Sequence, residues 1–384
     1  MLIAHGGGPT PVINNSLLGV LETAGACDAI GTVYGARFGV EGILQDDLAD
    51  LSAGEAQRLR RLSGTPASVI GSCRRKLSES DYPRILECLE KHDIGYFLYN
   101  GGNDSMDTCH RIHQLAVRSG YALRVIGIPK TIDNDLMHTD HSPGYGSAAR
   151  YAAVSAAELA MDTASLPIHV IIMELMGRNA GWITASATLF KDAMPCEQLV
   201  YLPEQPLNRQ RFLADIAAAY DKRHGLLVVV SEGLKDEEGI AIGDTGLKDG
   251  FGHIIPGGTA QYLADLILTQ TNLRARAEKP GLLGRTSMAY LSPVDSDEAY
   301  RAGAFAVESA AQGESGYMVS IEADRSPAYV SRMRLVPLES VANAEKSFPP
   351  EWICSKERSI ATQFKEYCLP LLGTQKPDYY PVLF

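Results

Sequence analysis

Residues 96–119, YFLYNGGNDSMDTCHRIHQLAVRS, decide the fold of this chain. They begin with an almost continuous apolar run at 96–99, which is typical of a strand covered on both faces. A polar segment with two glycines follows at 100–105. The apolar residues after that segment recur at helical spacing: Met106, Cys109, Ile112 and Ala116. A strand, a glycine loop and an amphipathic helix in this order predict one unit of a doubly wound parallel α/β sheet.

The same alternation runs through the first two-thirds of the chain. The predicted strands are residues 2–4, 32–34, 96–99, 125–128, 170–173 and 226–230. The predicted helices are residues 13–24, 80–91, 105–119, 147–163, 180–190, 208–223, 259–270 and 296–312. The chain of 384 residues is long enough for two cores of roughly 150 residues each, so we predict a second α/β lobe.

Charge and cysteine content exclude several classes of protein. The net charge of −11 argues against nucleic acid or an anionic membrane as partner, since either requires a basic face. No apolar run approaches the roughly 18 residues of a membrane span, and the first residues lack the pattern of a signal peptide. The seven cysteines form no CxxC pair and read as reduced thiols, so we expect a cytoplasmic protein.

Unusual residues follow five of the predicted strands. Ligands of open parallel sheets bind beyond the carboxyl ends of the strands, so these segments are the candidate site. They are residues 6–11 (GGGPTP), 100–105 (NGGNDS), 129–135 (PKTIDND), 175–181 (LMGRNAG) and 231–233 (SEG).

The first two segments are suited to phosphate. Each follows a strand and opens a helix, where free N–H groups and the helix dipole favour an anion. Neither is a Walker A loop or a GxGxxG fingerprint, so a nucleotide fold of those types is unsupported. The alternative for the second segment is a tight turn with a helix cap at Asp104 or Ser105.

Residues 129–135 are the most informative stretch. Lys130, Asp133 and Asp135 fit phosphoryl transfer, in which one carboxylate accepts the proton of the attacking hydroxyl, another holds a metal, and the lysine offsets charge. Arg178 could stabilise charge on the transferring group. The alternatives are an Asx turn and a surface arginine. His110/His113 and His138/His141 are interpreted as ordinary surface or core histidines.

Together these segments resemble the phosphofructokinase family, over residues 6 to about 307. Residues 7–14 (GGPTPVIN) resemble its first phosphate loop and residues 71–74 (GSCR) its second. Residues 101–105, 129–135 and 176–178 resemble its three best-known motifs, in the family's order. The resemblance implies two doubly wound three-layer α/β domains with the active site in the cleft between them. The phosphoryl-donor domain would be residues 1–145 with about 286–333, and the sugar-phosphate domain about 146–285 with 334–384.

The resemblance also implies a role for each matched residue. Asp133 would be the general base on the sugar 1-hydroxyl, with Lys130 and Arg178 as catalytic cations. The donor would be bound by Gly7, Gly8, Arg74, Gly102, Asn103, Asp104 and Ser105. The sugar phosphate would be bound by Thr131, Met176, Gly177, Glu232, Arg276 and Arg285. Mg²⁺ would be held by Asn103 and Asp135.

Two side chains indicate the phosphoryl donor. Members of the family that use ATP have glycine where this chain has Asp104 and Lys130, whereas members that use pyrophosphate commonly carry this pair. The expected reaction is reversible transfer from pyrophosphate to fructose 6-phosphate, in glycolysis or gluconeogenesis, by a homodimer or homotetramer. This chain departs from the family at Asn103, where many members have a metal-binding aspartate, and on the sugar side at His169, Leu282 and Gly284.

Three alternatives remain open. The chain could use ATP, or it could phosphorylate another sugar phosphate such as sedoheptulose 7-phosphate. It could also be a non-catalytic regulatory subunit, although Asp133 and Lys130 would then have no purpose.

Overall fold

The structure is a computed structural model that describes residues 1–52, 59–166, 169–243, 246, 258–373 and 376–383. The chain folds into two compact units. Unit 1 comprises Met1–Ser147 and Arg285–Lys346, and unit 2 comprises Ala148–Gly284 and Ser347–Phe384. No helix in the described part of the chain combines the length and the apolar character that a membrane crossing needs.

The elements alternate along the chain as the sequence predicts. The strands are β1 (Leu2–His5), β2 (Tyr34–Ala36), β3 (Leu48–Asp50), β4 (Tyr96–Gly101), β5 (Arg124–Pro129), β6 (Val170–Leu175), β7 (Glu197–Tyr201), β8 (Leu226–Ser231), β9 (Ala275–Glu278), β10 (Tyr317–Asp324), β11 (Val330–Pro337), β12 (Ile353–Cys354) and β13 (Ser359–Ile360).

The α-helices are α1 (Ile13–Gly25), α2 (Val40–Leu44), α3 (Asp81–Lys91), α4 (Asn103–Ser119), α5 (Tyr145–Ser165), α6 (Trp182–Ser186), α7 (Arg209–Ala219), α8 (Thr259–Gln270), α9 (Leu283–Thr286), α10 (Pro293–Ala311), α11 (Leu338–Val341) and α12 (Thr362–Leu372). Short 3-10 turns lie at Arg60–Gly64, Lys191–Ala193, Met288–Tyr290 and Pro350–Trp352.

Unit 1 is built on a seven-stranded sheet in the order β11-β10-β5-β4-β1-β2-β3. Its inner strands are parallel, and β3 and β11 are antiparallel at the two edges. Apolar clusters cover both faces, one including Ile85 of α3 and Ile112 of α4, the other Leu17 of α1 and Ala306 of α10. Because the inner strands are covered on both sides, their residues are continuously apolar, as the sequence predicts.

Unit 2 is built on a parallel four-stranded sheet in the order β7-β8-β6-β9. Its core joins β6 and β8 to Phe212 of α7 and Leu263 of α8. The C-terminal segment adds an aromatic cluster, in which Trp182 packs edge-on against Phe348 at 5.0 Å between ring centroids.

The α/β fold with parallel sheets is confirmed, and most predicted elements lie within a few residues of their observed bounds. Two expectations need correction. The strand expected at 32–34 is β2, Tyr34–Ala36, and the helix expected at 180–190 is only Trp182–Ser186. The strands β10 and β11 were not predicted, because polar residues such as Ser320, Glu322 and Arg334 interrupt the continuous apolar run that marks a buried strand.

Candidate active site

Three loops of unit 1 meet at the carboxyl edge of its parallel strands. After β1, Gly6 donates its N–H to Asn100 of β4 at 2.9 Å, and Gly7 donates to the carbonyl of Cys73 at 2.9 Å. The hydroxyl of Ser72 donates to the carbonyl of Gly7 at 2.6 Å. Gly7 has φ of +75°, a left-handed conformation that favours glycine. Hydrogen bonds therefore join residues 6–8, 71–74 and the end of β4.

Three cations lie around Gly8 of this glycine loop. The buried ammonium of Lys130 donates a hydrogen bond to the carbonyl of Gly8 at 2.7 Å. A β-carbon added at Gly8 would lie 2.5 Å from a guanidinium nitrogen of Arg285 and 3.0 Å from one of Arg74. Both guanidinium groups therefore lie directly against Gly8, and this concentration of positive charge marks a site for a polyanion.

The surroundings of Lys130 lower the pKa of its ammonium group. Burial, and then the charges of Arg285 and Arg74, lower the pKa of Lys130 to about 7, although Asp133 and Asp135 act in the opposite direction. His5 lies at the same edge, and burial followed by the charge of Lys130 lowers its pKa to about 3. His5 is therefore neutral, with Nδ1 at 2.7 Å from the hydroxyl of Ser68.

The loop after β5 carries the predicted base. The N–H of Asp133 donates to the hydroxyl of Thr131 at 3.1 Å. The next residue, Asn134, is fully buried in the left-handed region with φ of +55°, and its Oδ1 accepts the N–H of Ser142 at 3.1 Å. The carbonyl of Asp135 accepts the N–H of Lys346 at 2.8 Å. Main-chain contacts thus hold both sides of Asp133.

Asn103 and Asp135 offer unused oxygen ligands. One carboxylate oxygen of Asp135 and the side-chain amide of Asn103 are buried and have no hydrogen-bond partner among the described residues. Burial raises the pKa of Asp135, so a cation would stabilise its charged form. Both residues follow the ends of the paired strands β4 and β5. Oxygen donors of this type suit Mg²⁺, and the predicted metal residues fit that ion.

The remaining donor residues lie at the start of α4. Asp104 is exposed in the first turn, and Ser105 is buried, with its N–H donating to the carbonyl of Gly102 at 3.0 Å. The N–H of Lys130 donates to the carbonyl of Gly101 at 3.0 Å. The alternative of a simple helix cap receives no support, because the cap residue Gly102 has no side chain to make that hydrogen bond.

In unit 2, Met176, Gly177 and Arg178 follow β6 directly. Gly177 has φ of +124°, and its carbonyl accepts a hydrogen bond from the Ser231 hydroxyl. Glu232 donates its N–H to Leu175 at 2.9 Å. A β-carbon at Gly233 would overlap the carbonyl of Arg178, so the loop after β8 packs directly on the main chain of Arg178.

An ion pair between Glu174 and Lys279 lies close to Glu232. Glu174 is buried, with one oxygen 2.6 Å from Lys279 and the other accepting the N–H of Ala260 at 2.9 Å. Burial raises the pKa of Glu232, Glu174 adds to that rise, and Lys279 and Arg178 oppose it. Glu174 and Lys279 could not be recognised in the sequence, since Glu174 lies inside an apolar strand and only the fold brings Lys279 to it.

The two arginines predicted for the sugar 6-phosphate are placed differently. Arg276 is exposed on β9, paired in register with Ile171, which is five residues before Met176. At roughly 3.3 Å per residue, that register lies about 16 Å from the edge that carries Met176 and Arg178. His169 lies near the same end and accepts the N–H of Arg274 at 2.9 Å. Arg285 belongs to unit 1, beside Gly8.

One further group of metal-type ligands lies away from these loops. Asp46, Cys88 and His92 come together in unit 1, with His92 Nε2 at 2.5 Å from Asp46. The ammonium of Lys91 also contacts the Asp46 carboxylate, so that carboxylate already has a cation. We therefore interpret the group as a surface ion pair.

Comparisons with known proteins identify the family of this chain. The family model described as Phosphofructokinase matches residues 1–310. A pyrophosphate–fructose 6-phosphate 1-phosphotransferase of Methylococcus capsulatus is 39% identical, over 98% of this chain and 92% of its own length. A sulfofructose kinase of Alkalicoccus urumqiensis is 32% identical, over 97% of each chain.

A solved structure has the same fold. The pyrophosphate-dependent phosphofructokinase of Nitrosospira multiformis superposes with a TM-score of 0.89 at 36% identity, covering 100% of this chain and 94% of its own. Since both the family model and these relatives span most of the sequence, this chain belongs to the phosphofructokinase family.

Proposed function

We propose that this chain is a pyrophosphate-dependent phosphofructokinase that phosphorylates the 1-hydroxyl of fructose 6-phosphate. The observation that carries the donor is the buried Lys130, whose ammonium lies on Gly8 between Arg74 and Arg285. Three cations at one glycine loop suit a compact polyanion that has no ribose or base to anchor it. Two relatives that are 39% and 38% identical over 98% of this chain are each named a pyrophosphate–fructose 6-phosphate 1-phosphotransferase.

Asp133 is the proposed general base. An ordinary carboxylate is a weak base, with a pKa of about 3.9, so proton transfer would contribute roughly 10²–10⁴-fold. Most of the acceleration would then come from charge placed where it develops in the transition state. We assign that role to Lys130 on the donor and to Arg178 on the transferring group, with Thr131 orienting the phosphoryl group.

Asn103 and Asp135 are the proposed Mg²⁺ residues, because their buried oxygens have no hydrogen-bond partner in the described residues. The ion would supply additional positive charge to the diphosphate. Gly7, Gly8, Gly102, Asp104 and Ser105 complete the proposed donor site. The side chain of Asp104 would repel the inner phosphate of a nucleotide.

For the sugar we propose Met176, Gly177 and Glu232. Arg285 was expected to bind the 6-phosphate, but its contact with Gly8 favours the donor instead. The position of Arg276, at the far end of β9 from Met176, supports a contact with the sugar of a neighbouring subunit. We therefore propose a homo-oligomer, either a dimer or a tetramer, working in the cytoplasm.

A coupled assay of the purified chain tests the proposal. With fructose 6-phosphate and Mg²⁺, we expect turnover with pyrophosphate and little with ATP. Fructose 1,6-bisphosphate and phosphate should form pyrophosphate in reverse, because the two phosphate linkages have similar energies. Brisk turnover with ATP alone, or none with either donor, would overturn it. Parallel assays with sedoheptulose 7-phosphate and sulfofructose address the alternative acceptors, the latter because a relative carries that name.

A further inference from the structure

A buried group of charges lies behind the loop that carries Asp133. The imidazole of His141 is 1% exposed and lies between two carboxylates, with Nδ1 at 2.9 Å from Asp140 and Nε2 at 2.6 Å from Glu298 of α10. Carboxylates accept hydrogen bonds and do not donate them, so both ring nitrogens must carry a proton. His141 is therefore an imidazolium ion inside unit 1.

The surrounding charges match this protonation. Burial alone would lower the pKa of His141, but Glu298 and Asp140 more than offset that effect and raise it to about 9. Arg325 donates two hydrogen bonds to Asp140, at 2.9 and 2.7 Å, and the Tyr329 hydroxyl donates to Glu298 at 2.5 Å. Every polar group of this set thus has a partner, as a buried ionic network requires.

The network is connected to Asp133 through a hydrogen bond between two residues, Ser142 and Asn134, that are adjacent in the chain to His141 and Asp133. Ser142, the residue after His141, donates its N–H to Oδ1 of Asn134 at 3.1 Å. Asn134 is the residue after Asp133 and is held in the left-handed region. This hydrogen bond therefore ties the residue after His141 to the residue after Asp133.

A second attachment holds the other end of the loop. The ammonium of Lys346 donates to the carbonyls of Thr139 and Asp140 at 3.1 and 2.8 Å, while its own N–H donates to Asp135 at 2.8 Å. Lys346 thereby spans the loop from Asp135 to Asp140. The loop is long and irregular, so its geometry depends on such attachments rather than on a helix or a strand.

We propose that His141, clamped between Asp140 and Glu298, is a positioning residue that fixes the main chain at 133–135 and so aims the Asp133 carboxylate. This inference rests on the proposed role of Asp133 as base. His141 itself does not touch the substrate and is not catalytic. Its function would be to hold a reacting group within the fraction of an ångström that phosphoryl transfer demands.

The test compares His141→Gln, Glu298→Gln and the double variant H141Q/E298Q with the parent chain. His141→Gln removes the imidazolium that links Asp140 to Glu298, so we expect kcat to fall about 10²-fold from misplacement of the base. The KM for fructose 6-phosphate should change by less than about threefold, since the proposed sugar residues Met176, Gly177 and Glu232 lie in unit 2. The double variant removes one charge of each sign and should recover about tenfold of the loss.

Two measurements separate positioning from general damage. Activities are divided by the folded fraction from circular dichroism, and hydrogen–deuterium exchange follows residues 130–147 without any substrate. We expect exchange there to quicken about tenfold in His141→Gln and to stay unchanged in His92→Gln, a matched histidine that contacts Asp46 on another face of unit 1. Tyr329→Phe, which removes only one hydrogen bond, provides a milder variant if His141→Gln does not fold.

A normal kcat in folded His141→Gln, or a loss that follows the folded fraction alone, overturns the inference, as does unchanged exchange in residues 130–147. The same holds if Tyr329→Phe, used in its place, alters neither kcat nor that exchange. Absence of turnover in the parent chain with every donor would instead overturn the proposed function, whereas the exchange result would still report whether His141 orders the loop.

Discussion

The ammonium of Lys130 donates a hydrogen bond to the main-chain carbonyl of Gly8 at 2.7 Å. This contact joins the end of β5 to the loop after β1 and holds a buried cation over glycines that leave room for an anion. It also places Lys130 beside Arg74 and Arg285, and burial, followed by the charges of Arg285 and Arg74, lowers the pKa of Lys130 to about 7.

Removing the charge of Lys130 should impair the reaction with pyrophosphate. We expect Lys130→Met, which keeps the length of the side chain, to lower kcat/KM for pyrophosphate by roughly 10²–10³-fold, the usual effect of losing one preorganised donor. Lys91→Met removes an exposed lysine of the same unit and should leave activity unchanged. Steady-state kinetics measure both, and parent-like kcat/KM in Lys130→Met would contradict the proposed role.

Binding of pyrophosphate should take up a proton above neutral pH. The pKa of Lys130 is lowered to about 7 in the free protein, so at pH 8 most of it is neutral. A bound polyanion favours the ammonium form and raises that pKa, so affinity should fall as pH rises above 7, by at most about tenfold per unit. Below pH 7 this contribution should level off.

Calorimetry in buffers of different ionisation enthalpy measures that proton uptake directly. Pyrophosphate titrates in the same range, so Lys130→Met is the matched control. Its uptake should be smaller than that of the parent chain by up to one proton per site. Identical uptake in the two proteins would show that Lys130 is already charged before binding.

Loss of the proposed base should leave the fold intact. Asp133→Asn should reduce kcat by roughly 10²–10⁴-fold, the range for proton transfer to a positioned group. The amide keeps the shape of the side chain, and the thermal unfolding temperature should change little. Asp297→Asn, an exposed aspartate paired with Arg301 in the same unit, serves as control. Full turnover by Asp133→Asn would remove it from the mechanism.

Donor preference should respond to the pair Asp104 and Lys130. The double substitution to glycine removes a repulsive carboxylate and opens the volume of the buried lysine side chain, so the ratio of kcat/KM for ATP over pyrophosphate should rise. Competition assays with both donors measure this ratio. An unchanged ratio in a folded protein would mean that other residues select the donor.

The requirement for Mg²⁺ should depend on Asp135. Asp135→Asn keeps an oxygen ligand but removes its charge, so we expect half-maximal activity to need at least about tenfold more Mg²⁺. Activity is measured as Mg²⁺ is restored after chelation, with Asp107→Asn, on the surface of α4, as control. An unchanged Mg²⁺ requirement would place the ion elsewhere.

The amino-acid sequence by itself determined which loops could carry chemistry. Buried parallel strands have continuous apolar sequences. The glycines and charged residues that follow them, such as Lys130 and Arg178, can therefore be recognised from the sequence alone. The same logic fails where polar residues interrupt a strand, which is why β10 and β11 were missed. It also fails for Glu174, a charge hidden inside an apolar run.

Only the tertiary structure decided which of these groups meet. Gly8, Arg74, Lys130 and Arg285 are far apart in the chain, and the tertiary fold brings them together at the carboxyl edge of the unit 1 sheet. The environment of His141 also depends on the tertiary structure. Its spacing in the sequence suggests an ordinary histidine, whereas the fold places it between Asp140 and Glu298, where it must be charged. Local pattern fixes the type of each element, but the environment that sets a side chain's charge comes from residues distant in sequence.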